Sequence, residues 1–143
     1  MKKKKNPYCS CLYYSANALS RIMTKMAEDA FSVTGVAPSY AFLLMTVNAS
    51  PGIRPKAISS RMQLSPSTVT RFIEKMEHKG FLERRPDGRA TAVYSTAKGK
   101  ALDNDLKKAW HGLYHQYTAL LGEEQARNLT TDIYDAVLTL DEI

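Results

Sequence analysis

The side chains best suited to chemistry in this sequence gather between positions 65 and 89. Ser65, Ser67, Thr68, Thr70, Arg71 and Lys75 lie in "SPSTVTRFIEK", and Arg84, Arg85 and Arg89 follow around "PDG". Hydroxyls and guanidinium groups so spaced can bond phosphate oxygens or base edges, and one arginine can hold a guanine through two parallel bonds. Two smaller groups stand apart. Cys9 and Cys11, among Tyr8, Tyr13 and Tyr14, could carry thiol redox chemistry, although inert small hydrophobes are the plainer reading. His111 and His115, four apart, share a helix face and have zinc-ligand spacing, although such pairs more often pack or face solvent. No nucleophile, base and orienting group form a set, and no glycine-rich loop is present to cradle phosphate, so an enzyme is not expected and no cofactor is implied.

These groups need elements to position them. Leu12, Ala16, Leu19, Met23, Met26 and Ala30 recur at three and four, predicting a long first helix to about Phe31. Pro38 opens a second, all-round apolar helix to about Asn48, with Phe42, Leu43, Leu44 and Val47 as core. A short extended piece near Ile53 then leads into a two-turn helix from Pro55 or Lys56 to Met62. Ser65 as N-cap, Pro66 at the first helical position and Gly80 as the stop define a fourth helix. Its apolar side holds Val69, Phe72, Ile73 and Met76; the opposite side carries Ser67, Thr68, Thr70, Arg71 and Lys75, with Glu74 among them. Two helices across a short break make a helix-turn-helix.

Beyond Gly80 the period falls to two. "FLERR" and "TAVYST" are expected as strands of a hairpin with Asp87 and Gly88 at its tip. Such a basic hairpin can lay arginine along a minor groove, for which Arg89 is the candidate, with an Arg89–Asp87 pair as the structural alternative. One helix from Lys98 is expected to carry Leu102, Leu106, Ala109, Leu113, Tyr117 and Leu120. After Gly122 another turns Ala126, Leu129, Ile133, Ala136 and Leu140 inward. The expected fold is mainly α, in the order H-H-H-H-E-E-H-H: a winged helix-turn-helix with a two-stranded β-hairpin wing and flanking dimerisation helices. Residues 38–97 form the winged part, and 8–34 and 98–143 the flanks.

Length and composition agree with one soluble domain over 1–143, with 44% hydrophobic and 24% charged residues. No apolar run approaches a membrane span, the basic start has no signal-like stretch behind it, and the chain reads as cytoplasmic. Two cysteines one residue apart make no disulfide framework. The net charge of +6 divides unevenly, as +4 on residues 1–53, +7 on 54–100 and −5 on 101–143. A basic centre beside an acidic end points to nucleic acid, held away from the C-terminal helices. Lys2 to Lys5 add a weak basic run. Leu102, Leu106, Leu113 and Leu120, with Tyr13, Tyr14, Trp110, Tyr114, Tyr117 and Tyr134, offer more apolar surface than a small winged domain covers, which suggests a dimer.

The helix order, "LSPSTVTRFIEKMEHKGFLERR" and "DGRATAVYSTAKGKAL" together resemble the MarR family of winged helix-turn-helix transcriptional regulators. The resemblance implies intertwined first and last helices in a homodimer, a recognition helix beginning at Ser65, and a minor-groove arginine on the wing. Carried over, the recognition roles fall on Ser67, Thr68, Thr70 and Arg71, and the wing role on Arg89. It implies a repressor on a pseudo-palindromic operator, released by an unknown effector, which could be a small molecule, an oxidant or a metal. Cys9, Cys11, Tyr13, Tyr40 and Trp110 are the effector or redox candidates, and His111 and His115 the metal candidates. The alternative is an architectural DNA-binding or protein-interaction module without an operator.

Overall fold

The computed structural model describes residues 6–141. Lys2 to Lys5 lie outside them. Helix α1 runs Leu12–Phe31, a single 3-10 turn covers Ser32–Thr34, and α2 (Pro38–Ala49), α3 (Pro55–Met62) and α4 (Pro66–His78) follow. Strands β1 (Leu82–Asp87) and β2 (Ala90–Ser95) form the wing, and α5 (Ala97–Ala101), α6 (Asp103–Leu121) and α7 (Glu123–Leu140) complete the chain. Proline opens α2, α3 and α4, where its fixed φ suits the first turn and its missing N–H is not needed. The expected third and fourth helices therefore start where the local chemistry places them.

Helix α2 is the hub. Ala41, Leu43, Leu44 and Val47 are buried, and Phe42 is half-buried between Phe31 and Trp110, with ring centroids 5.8 and 6.2 Å away. Around it close Phe31, Ile58, Val69, Ile73, Met76, Val93 and Leu106, all essentially without exposure. This core spans the winged part and the start of α6, and binds them into one unit.

The structure corrects three expectations. The helix expected from Lys98 is two, broken at Leu102. Thr96 caps α5 by accepting from the Gly99 amide, and a Cβ on Gly99 would lie 2.3 Å from the Phe81 carbonyl oxygen, so α5 is pinned to the wing root. Asp103 and Asp105 then favour a fresh helical start at α6. The hairpin tip is Gly88–Arg89, not Asp87–Gly88. Asp87 pairs with Ala90 across the ladder, and Gly88 takes the positive φ of 64° that a two-residue turn requires. Pro86 fits inside β1 because one side of that strand has no neighbour and its missing N–H breaks no ladder bond. Leu120, Ile133 and Leu140 are not turned inward within the chain: all three are exposed, Leu120 by 77%. The extended piece at Ile53 is a bridge to Val93, with the Gly52 amide donating to Val93 O at 2.9 Å and the Val93 amide to Ile53 O at 3.0 Å.

Candidate nucleic-acid interface

The first turn of α4 is a hydroxyl network built on its cap. Ser65 Oγ accepts from the Thr68 amide at 3.2 Å and donates to Thr68 Oγ1 at 2.9 Å, while Ser67 Oγ lies 3.2 Å from Ser65 Oγ. Arg71 Nη2 reaches back to Thr68 Oγ1 at 3.4 Å. Val69, Ile73 and Met76 face the core, which leaves Ser67, Thr70 and Arg71 exposed and Thr68 half-buried. Thr70 Oγ1 donates to Pro66 O at 3.0 Å, a bond a hydroxyl can exchange for an outside acceptor. One turn further, Lys75 Nζ sits 5.1 Å from the Tyr40 ring centroid.

On the wing the three arginines differ. Arg84 is tied to α4: its Nη2 lies 2.8 Å from Glu77 Oε1 and its amide donates to Glu77 Oε2 at 3.3 Å. Arg85 pairs with Glu83 and lies over the Tyr94 ring, 4.3 Å from its centroid. Arg89, at the exposed tip, makes no ion pair among the described residues. Asp87 does not hold it. Asp87 Oδ2 accepts instead from Arg54 Nη2 at 2.9 Å, and the alternative Arg89–Asp87 pair is absent among the described residues.

Arg54 was missed by residue-level reading. So were Lys56 and Arg61, both exposed on α3, the latter donating to Ser50 Oγ at 2.8 Å. All three contribute to the +7 of the central segment, the one signal that could have found them.

The effector candidates do not meet in one place. Tyr40 lines a crevice of about 460 Å³ with Met23, Ala27, Phe72 and Leu113, where α1, α2, α4 and α6 converge. Tyr13, 79% exposed, and Trp110 are not part of it, and Cys9 and Cys11 are exposed free thiols ahead of α1. His111 and His115 sit on the exposed side of α6 beside Asp105, Lys107 and Lys108. Among the described residues no group of three or more histidine, cysteine or carboxylate side chains gathers as a metal site. On the same helix burial, and then the neighbouring Tyr114, push the Tyr117 phenol above its usual 10.0. No single helix among the described residues is long and apolar enough to cross a membrane.

The family model described as MarR family matches residues 38–89. The HTH-type transcriptional repressor MdtR of Bacillus subtilis (strain 168) is 25% identical over 144 aligned residues, covering 96% of this chain and 92% of the relative. Solved structures share the fold, two of them bound to DNA. The M. tuberculosis transcriptional regulator MosR in complex with DNA superposes with TM-score 0.79 at 21% identity, over 92% of this chain and 97% of that one. A mutant MarR from E. coli complexed with operator DNA does so with TM-score 0.80 at 14% identity, over 92% and 99%.

Proposed function

We propose that the chain is a MarR-family regulator: a cytoplasmic, homodimeric transcriptional repressor that reads a specific double-stranded DNA operator and is released by an effector. The reading rests above all on one arrangement. The exposed Ser67, Thr70 and Arg71 and the half-buried Thr68 of α4 lie on the same winged unit as a hairpin whose tip arginine, Arg89, makes no ion pair among the described residues, while Arg54 holds Asp87. Hydroxyls and backbone amides at the start of α4 suit phosphate, Arg71 suits a guanine edge, and Arg89 suits the negative minor groove. Arg84 and Arg85, both engaged within the protein, orient the wing rather than read DNA.

Dimerisation is supported by the surface that the single chain leaves open. Leu12, Ile22, Leu120, Ile133, Leu138 and Leu140 on α1, α6 and α7 are all exposed. A second copy covers such a surface, and two α4 helices about 34–36 Å apart then match half-sites one turn apart. The Tyr40 crevice, between the flanking helices and α4, is the proposed entry for a small effector.

The test is selection of bound duplexes from random DNA by the purified protein, followed by affinity measurement near physiological salt, about 0.15 M. A selected duplex binding at least about a thousandfold tighter than unrelated DNA is expected. Equal affinity for both, or no binding of either, overturns the reading in favour of an architectural or protein-interaction module. Adding peroxide, zinc or phenols to the bound complex then separates Cys9 and Cys11, His111 and His115, and the crevice as the responding site.

A further inference from the structure

Away from the face of α4 lies a small hollow of about 190 Å³, lined by Val47, Asn48, Pro51, Ser95, Lys100 and Asp103. Two of its lining residues each hold a buried oxygen, Asn48 Oδ1 and Ser95 Oγ, with no hydrogen-bond partner among the described residues. Ser95 is only 5% exposed and is the one polar side chain in the buried class among the described residues. Buried polar groups are seldom left unmatched, because each has lost its water without replacement.

The orientation of the Asn48 amide is settled by its neighbours. Its Nδ2 donates to Gly99 O at 3.3 Å and to Asp103 Oδ1 at 3.1 Å, and both partners are acceptors that the amide oxygen could not bond. Asn48 therefore presents a fixed acceptor. Asp103 is already matched by Lys107, whose Nζ lies 2.8 Å from Oδ2. Lys100 has no ion pair among the described residues and supplies the free positive charge. An occupant must thus donate to Asn48, exchange a bond with Ser95, carry negative charge for Lys100 and place hydrocarbon against Val47 and Pro51.

We propose that this hollow binds a small carboxylate carrying a hydroxyl or ammonium group on the adjacent carbon, a molecule of about six non-hydrogen atoms in a space equal to about six waters. The carboxylate meets Lys100 and the Ser95 hydroxyl, and the neighbouring donor meets Asn48 Oδ1. The position gives such a ligand leverage. Ser95 ends β2, Asn48 lies near the end of α2, and Lys100 and Asp103 flank the α5–α6 break, so the occupant joins the wing to the stem. Only this consequence for DNA rests on the proposed function; the binding itself does not.

The experiment titrates isotope-labelled full-length protein with L-lactate, L-alanine and propionate while amide resonances are followed. Saturable shifts at the Asn48 side chain, Ser95 and Gly99 are expected with lactate or alanine, and which of the two binds tells hydroxyl from ammonium. Propionate, lacking the donor, is expected to bind at least about tenfold more weakly, as are lactate and alanine to Ser95→Ala and Lys100→Gln. Circular dichroism is expected to show both variants folded. No saturation at tens of millimolar, equal binding of propionate, or unchanged binding in both variants overturns the proposal and leaves the hollow to water. The readout is on free protein, so a failure of DNA binding leaves it intact.

Discussion

Arg54 and Asp87, 33 residues apart in the chain, meet at 2.9 Å and fix the wing to the entrance of α3. The ion pair continues a seam. Just before Arg54, Ile53 bridges Val93, and Gly52 comes so close to Tyr94 that a Cβ there would lie 3.0 Å from the phenol oxygen. Arg85 lies over that ring, 4.3 Å from its centroid. Wing and helix-turn-helix are therefore set relative to each other by a backbone bridge, a ring and a charge pair, and Arg89 at the tip has no ion pair among the described residues.

Asp87→Asn tests this positioning role. Removing an acid from a hairpin proposed to face DNA favours phosphate binding on charge alone. If Arg54–Asp87 orients Arg89, operator affinity falls instead, with the slope of log affinity against log salt unchanged, as fluorescence anisotropy would record. Stability is expected to change by less than about 1 kcal/mol, because both side chains are more than half exposed and such pairs contribute little.

Arg71→Ala and Arg89→Ala are expected to separate base reading from phosphate and groove contact. Arg71→Ala should cost about 1–3 kcal/mol on the preferred operator and much less on unrelated duplexes, relaxing preference at one base pair. Arg89→Ala should weaken binding across AT-rich flanks and lower the salt slope by about one. Arg84→Ala, which breaks the link to Glu77, should reduce affinity through wing disorder while the salt slope holds.

Two glycines give opposite results on thermal unfolding. Gly99→Ala puts a methyl 2.3 Å from the Phe81 carbonyl oxygen and 3.1 Å from Leu44, so the α5–wing junction must shift, at a cost of about 1–3 kcal/mol. Gly112→Ala in α6 meets nothing within 4 Å and is expected to stabilise by about 0.5–1 kcal/mol through helix propensity.

Leu120→Asp is expected to leave the protomer folded, since Leu120 packs against little within its own chain, and to dissociate the proposed dimer. Sedimentation at micromolar concentration would show the species shift from two copies to one, with operator affinity lost in parallel. A variant that stays dimeric places the interface elsewhere.

The local rules accounted for most element starts and for much of the candidate reading face. Ser65 and Pro66, Pro38, Pro55 and Gly80 act through φ preferences and hydrogen bonds within about four residues, so their consequences are visible in a linear string. The hairpin tip was displaced by one residue because its position depends on which cross-strand partners pair, and Asp87 opposite Ala90 is a property of two strands together. The break at Leu102 escaped the helical pattern because its cause, the Phe81 carbonyl against Gly99, comes from another element.

What the sequence by itself determined was the order of helices and wing, the capped polar turn of α4 and the basic centre, because each follows from neighbours in the chain or from composition. Only the tertiary structure decided which charges are spent internally. It gave Asp87 to Arg54, Arg84 to Glu77 and Asn48 to Asp103, and left Arg89 and Lys100 without ion pairs among the described residues. Only the tertiary structure, too, showed that Leu120, Ile133 and Leu140 find no core within one chain. An apolar stripe says that a face must be covered, while packing decides by what, since burial depends on every element that reaches the same space.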